Sequence, residues 1–150
     1  MSFPLPDPMR RALELAREAA SCGEVPVGAV VTLGEEIIAE GRNAMRASVD
    51  PTAHAEVVAI RGAADRLGTS RLDRCTIWVT LEPCAMCAAA IGLARFEGLR
   101  FGAEDSKGGA VIHGPRLFRQ PTCHHRPEVI SGLGEEQSAA LLREFFSNRR

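Results

Sequence analysis

The sequence predicts an α/β protein in which helices cover both faces of a β-sheet. Three observations carry that prediction. Segments of helical and strand character follow the order α-β-β-α-β-α-β-loop-β-α, the alternation expected of a sheet between helical layers. The stretch CTIWVTL, residues 75–81, is short and mostly apolar, as a strand buried on both faces is. The opening helical segment is amphipathic, with one face to give to a sheet. At 150 residues the chain is most simply one domain, spanning 1–150, and long enough to bury a substantial core.

Each element has a local reason. Asp7 and Pro8 read as the N-cap and first residue of a helix that runs through MRRALELAREAASCG to near Gly23. VPVGAVVTL and EIIAEGRN flank a turn at Gly34 and read as a β-hairpin. Thr52 is placed to cap the helix AHAEVVAIRGAADRLG, which ends at Gly68 and offers Val57, Val58 and Ile60 to the sheet. After CTIWVTL, the run EPCAMCAAAIGLARF turns into another helix, and LRFGA is the next strand. PEVIS is a last short strand, and GEEQSAALLREFFSNRR a C-terminal helix. The connection from Asp105 to Pro127 is too long for a simple connector, which marks it as functional.

Composition narrows the function classes. Apolar residues make up 45% and charged residues 25%, the balance of an ordinary soluble protein. No apolar run approaches the ~20 residues needed to cross a bilayer, and MSFPLPDPMRR lacks the order of a signal peptide, so a cytoplasmic protein with no membrane partner is expected. Five cysteines, at 22, 75, 84, 87 and 123, form no secreted disulfide pattern; paired ones in a reducing compartment point to metal or redox chemistry. The net charge of −1 does not advertise a nucleic-acid partner. Its distribution says more: Ser106–Arg126 contains no Asp or Glu but holds Lys107, Arg116, Arg119 and Arg126, with His113, His124 and His125. The chain also ends basic, at Arg143, Arg149 and Arg150. Such a stretch reads equally as an anionic-ligand footprint or as a solvated loop.

Two short motifs carry chemistry: His54-Ala55-Glu56 and Pro83-Cys84-Ala85-Met86-Cys87. Both open a helix. Cysteines three apart put two sulfurs on one side of a first helical turn, a spacing suited to a tetrahedral metal with Zn–S distances of ~2.3 Å. His54 supplies a third ligand, which leaves a fourth position for water, the arrangement of a catalytic zinc. The positive ends of two helices favour thiolate there. Two thiolates and an imidazole leave such a zinc roughly neutral and modest in Lewis acidity, so Glu56 is needed to take the water's proton and deliver it to a substrate nitrogen. The pair of motifs is the known H-x-E…P-C-x-x-C signature of base deaminases, from which this mechanism is carried over.

Other readings of the parts stay open. A lone CxxC also occurs in redox pairs and in half-sites of zinc ribbons, although no second CxxC is present and a redox pair leaves His-Ala-Glu unexplained. A closed structural zinc would need a fourth ligand from Cys123, His124 or His125.

The segments EVPVGAVV, GRN, DPTAHAE, VTLEPCAMCAAAI, FGAEDSKGGA and LLREFFSNRR, in this order, resemble the bacterial tRNA-specific adenosine deaminases, the TadA family, within the cytidine-deaminase-like fold. The resemblance implies a CMP/dCMP-type zinc deaminase domain with a five-stranded mixed sheet in an α/β/α sandwich. It implies a homodimer, one zinc per subunit held by His54, Cys84 and Cys87, and Glu56 as proton shuttle. Asn43 matches the residue that hydrogen-bonds the target base, Val25 and Pro26 match a pocket wall, and the backbone of Ala55 meets the purine. Asp105 and Lys107 match a loop that approaches the anticodon, and Phe145 a lid over the RNA. The implied reaction converts adenosine 34, the wobble base, to inosine in a tRNA anticodon stem-loop, with no DNA substrate expected. The alternatives are a deaminase of a free base or nucleoside of guanine or cytosine type, and a non-catalytic zinc-stabilised RNA-binding module. VIHGPRLFRQPTCHHRPEV and Glu104 depart from the best-known family pattern.

Overall fold

Five strands form a mixed sheet in the order β2-β1-β3-β4-β5. The computed structural model describes residues 4–149, so Arg150 of the basic C-terminus lies outside the described residues. The elements are α1 (Asp7–Ser21), β1 (Gly28–Leu33), β2 (Glu36–Arg42), α2 (Ala55–Leu67), β3 (Cys75–Leu81), α3 (Ala85–Ala94), β4 (Gly98–Ala103), β5 (Glu128–Ile130) and α4 (Glu135–Ser147). This is the expected order, with a single 3-10 turn at Leu117–Arg119 inside the long connection. β1 pairs antiparallel with β2 and β3, while β3–β4 and β4–β5 are parallel.

Two clusters place the helices. Ala29, Val31, Ile77, Val79, Leu99 and Phe101 pack on one face of the sheet against Ala55, Ala59 and Ala63 of α2 and Ala88 and Ile91 of α3. On the other face Val30 and the half-buried Trp78 meet Met9, Ala12, Leu13 and Leu15 of α1, with Leu141 of α4 joining them. The result is the predicted three-layer α/β/α arrangement. Among the described residues no helix is long and apolar enough to cross a membrane.

Three local expectations need correction. Pro6, not Asp7, occupies the N-cap of α1, and Asp7 begins the helix in the first turn, where a carboxylate faces the positive end of the dipole. Thr52 does not cap α2. Its hydroxyl and backbone N–H both donate to Asp50 Oδ1, at 2.8 and 2.9 Å, and His54 holds the N-cap. Val57, Val58 and Ile60 are only half-buried; α2 buries Ala55, Ala59 and Ala63 instead.

The reason for that alanine face is a close backbone approach. A Cβ on Gly41 of β2 would lie 2.3 Å from the Ala55 carbonyl oxygen and 2.7 Å from the Ala59 nitrogen. Only glycine on the strand and alanine on the helix let α2 settle this near the sheet, and this contact sets the height at which the first turn of α2 enters the site. Gly41→Ala should therefore cost about 2–3 kcal/mol by overpacking and lower Tm by roughly 5–10 °C. Gly62→Ala, where a Cβ meets only the Ala39 Cβ at 3.4 Å, should stabilise α2 by about 0.5–1 kcal/mol. Thermal unfolding of the two variants beside the parent checks both signs.

Candidate active site

The ends of β2, β3 and β4 and the start of β1 meet at one edge of the sheet, and the two signature motifs lie there. β3 ends at Leu81, and Glu82-Pro83 carries the chain to Cys84, the N-cap of α3. β2 ends at Arg42 and delivers Asn43, whose backbone N–H donates to the Val27 carbonyl at 3.1 Å. The loop from Ala44 returns to His54, the N-cap of α2. Both caps are extended, and neither forms a side-chain capping hydrogen bond. The usual occupants of these positions turn back to satisfy the helix. Here the imidazole and the thiol face each other.

His54 Nδ1 lies 3.6 Å from Cys84 Sγ and 3.5 Å from Cys87 Sγ. Two donors bound at ~2.1 and ~2.3 Å on a tetrahedral centre must stand about 3.6 Å apart. The separations and the N/S₂ donor chemistry fit zinc, and the ligand atoms all lie within 4.8 Å of one another. Cys87 is buried, while His54 and Cys84 are half-buried. The Cys87 thiol, donating to the neighbouring sulfur, brings the Cys84 pKa down to about 5 against the opposing effect of burial. The same hydrogen bond, with burial, pushes the Cys87 thiol up. One thiolate is thus ready at neutral pH.

Glu56, in the first turn of α2, is 4% exposed. Burial pushes its carboxyl up to about 7, against the pull of a hydrogen bond from its own backbone N–H. A carboxylate near neutrality both takes and returns a proton, which is what a shuttle needs.

A cavity of about 200 Å³ brings together His54, Ala55, Glu56 and Cys84 with Asn43, Val25 and Asp105; Val27, Met45, Leu81, Glu82 and Gly108 complete its wall. Of the predicted residues, Pro26 is buried behind this wall and Lys107 is exposed outside it. Phe145 stands apart, in a depression between α1 and α4. The Arg149 guanidinium lies 4.2 Å from its ring centroid and donates to the Gly23 carbonyl at 2.9 Å, just ahead of the Val25 wall. Asp105 also shapes its own turn, accepting from the N–H groups of Lys107 and Gly108 at 3.1 and 2.9 Å. Cys123 and His125 do not join the cluster. Cys123 donates to the His125 carbonyl at 3.1 Å, and the His125 ring Nε2 lies 2.6 Å from the Phe96 carbonyl oxygen. Among the described residues the metal-ligand group is His54, Cys84 and Cys87.

Sequence reasoning missed two buried carboxylates. Glu24, 3% exposed, accepts from the N–H groups of Arg46 and Ala47 at 3.1 and 2.9 Å and so ties down the loop after Asn43. Glu82, 2% exposed, holds the segment after β4 in the same manner. Burial raises its pKa, but hydrogen bonds from the Asp105 N–H and the His113 side chain overcome this and bring it below the ordinary carboxylate value. An acidic residue ending an apolar strand directly before Pro-Cys was the available signal. Its partners, 23–31 residues away, left none.

The profile of the MafB19-like deaminase family matches residues 6–150. The chain is 53% identical over 142 residues to the tRNA-specific adenosine deaminase of Agrobacterium fabrum, across 95% of this chain and 93% of that one. A solved structure from work on A-to-I editing by tRNA:A34 deaminases superposes with a TM-score of 0.89 at 52% identity, covering 90% of this chain and 98% of that one. A guanine deaminase structure from Bacillus subtilis superposes less closely, with a TM-score of 0.68 at 34% identity over 99% and 98% of the two chains. At 53% identity across 95% of its length to a tRNA-specific adenosine deaminase, with a deaminase profile matching residues 6–150, the chain belongs to the tRNA-specific adenosine deaminases, within the cytidine-deaminase-like fold.

Proposed function

We propose that this protein deaminates adenosine to inosine at the wobble position, residue 34, of tRNA, as a single deaminase domain acting in the cytoplasm. One observation carries the reading: two thiols and an imidazole at tetrahedral-zinc separations stand beside a buried glutamate, in a cavity that also holds Asn43 and Asp105. Relatives at 42–53% identity named tRNA-specific adenosine deaminase support the substrate.

His54, Cys84 and Cys87 would hold one zinc per subunit. When bound, zinc supplies the Lewis acidity that makes water a nucleophile near neutral pH. Glu56 takes the proton of the attacking water as oxygen adds to C6 of the adenine, and gives it to N1. It then carries a second proton to the 6-amino group, which leaves as ammonia while C6 becomes the carbonyl of inosine. Val25, with Pro26 buried behind it, gives the base an apolar wall, the Ala55 backbone meets the purine, and Asn43 hydrogen-bonds its edge. A 200 Å³ cavity suits a single flipped base. An anticodon loop offers one cheaply, because its bases are already unpaired.

Asp105, Lys107 and the acid-free segment behind them meet the flanking nucleotides, with Phe145 and Arg149 on the far side. A homodimer is part of this reading. Leu93 of α3 is 81% exposed beside an apolar groove of about 300 Å³ lined by Ala89, Leu117 and Phe118, which supports a covered face next to the site. DNA is not an expected substrate.

The likeness to a guanine deaminase favours one rival, a free-base enzyme with the same chemistry. Zinc-loaded protein should convert wobble adenosine to inosine in tRNA, read by sequencing, and leave free guanine and cytosine unchanged. Turnover of the free bases without inosine in tRNA would overturn the proposal in favour of that rival. Glu56→Ala should lower kcat on the order of 10²–10⁴-fold with bound zinc retained; a variant of unchanged activity would instead indicate a non-catalytic RNA-binding module.

Cys84→Ala and His54→Ala should each abolish stoichiometric zinc in metal analysis, whereas Cys123→Ala should keep it. Affinity for an anticodon stem-loop should fall as salt rises, with a log–log slope of about −0.7 for each phosphate neutralised.

A further inference from the structure

Glu82 is a carboxylate with no exposed side-chain surface, at the end of β3 and two residues before Cys84. Among the described residues no lysine or arginine pairs with it. Its oxygens instead accept four backbone N–H groups from one segment: Asp105 at 2.9 Å on Oε1, and Val111, Ile112 and His113 at 3.1, 3.0 and 3.1 Å on Oε2. The His113 ring adds a fifth contact, Nδ1 to Oε1 at 2.8 Å. A carboxylate offers about four lone-pair sites, so this one is fully engaged and has no acceptor free for a substrate proton. It lines the site without being equipped for the chemistry.

The segment is shaped to receive it. A Cβ on Gly109 would fall 2.4 Å from Glu82 Cδ and 2.5 Å from Oε2, so glycine alone lets the chain lie across the carboxylate. Ala110 N–H donates to the Pro83 carbonyl at 2.9 Å, a second tie between the segment and the turn that leads into the cysteines. Burying a charge to anchor a loop is costly compared with an apolar contact, and what it secures is one conformation.

We propose that Glu82 is the positioning residue that holds residues 105–113 in the shape they present to the nucleotides flanking the target base, so that the loop is formed before RNA arrives. The proposal rests on the tRNA reading above. A preformed loop spares the complex the cost of ordering it. Contacts to flanking nucleotides are the same in ground and transition states, so their loss raises KM and leaves kcat.

The test is steady-state kinetics of the zinc-loaded protein on an anticodon stem-loop. Glu82→Gln keeps the shape but sets an amide N–H₂ against backbone donors. It should raise KM about tenfold or more, with kcat within about threefold and zinc content unchanged. Gly109→Ala perturbs the same contact from the loop side, leaves the carboxylate in place, and should show the same split; it also decides the matter if Glu82→Gln does not fold. Unchanged KM in the folded variants, or a fall in kcat accompanied by zinc loss, would overturn the proposal. A wild-type protein that forms no inosine would overturn the tRNA reading itself, and this proposal with it.

Discussion

Convergence of two helix starts on three ligand atoms is the constraint from which the rest of the site follows. His54 Nδ1 stands 3.5–3.6 Å from two sulfurs that begin a different helix. To bring them there, α2 and α3 must end their approach at the same edge of the sheet, with both N-cap side chains turned toward each other and away from their own backbones. A conventional N-cap stabilises a helix by about 1 kcal/mol, and both helices forgo it. What holds them is packing. Gly41 admits the backbone of α2, the alanines of α2 and α3 keep both helices near the sheet, and the parallel pair β3–β4 presents its C-terminal ends to the same cavity, where ligands bind in α/β sheets.

Three buried glutamates around this point have different tasks because their surroundings differ. Glu56 sits beside thiols with little hydrogen bonding, so burial dominates and its carboxyl rises to about 7. Glu82 is equally hidden, but backbone N–H groups surround it and keep it ionised. Glu24 holds the neighbouring loop through two N–H groups. One carboxyl raised toward neutrality thus stands between two anchors, and the walls of the cavity are fixed by carboxylates buried in the protein rather than by a basic surface. That is compatible with a chain of net charge −1.

Much of this was legible in the sequence because it is local. Element order follows from short-range patterns, and the His-Cys-Cys group that the fold brings together is marked in the sequence by spacing at helix starts. The misses have a common cause. Thr52 has the right chemistry for a cap but has Asp50 two residues away, and that shorter closure wins. Val57, Val58 and Ile60 are more apolar than the alanines beside them, yet the alanines are buried, because Gly41 on another strand sets the distance. The roles of Glu24 and Glu82 depend on partners more than 20 residues away. No local pattern singles out Phe145, because its place between α1 and α4, stacked on Arg149, is set by tertiary packing.

Amide hydrogen exchange tests the convergence most directly, by comparing the chain before and after addition of one equivalent of zinc. If a single ion ties His54 to Cys84 and Cys87, the first turns of α2 and α3 gain protection together, at the same zinc concentration. Protection of α3 alone, or of neither helix, would contradict a shared centre and with it the site from which the function is inferred.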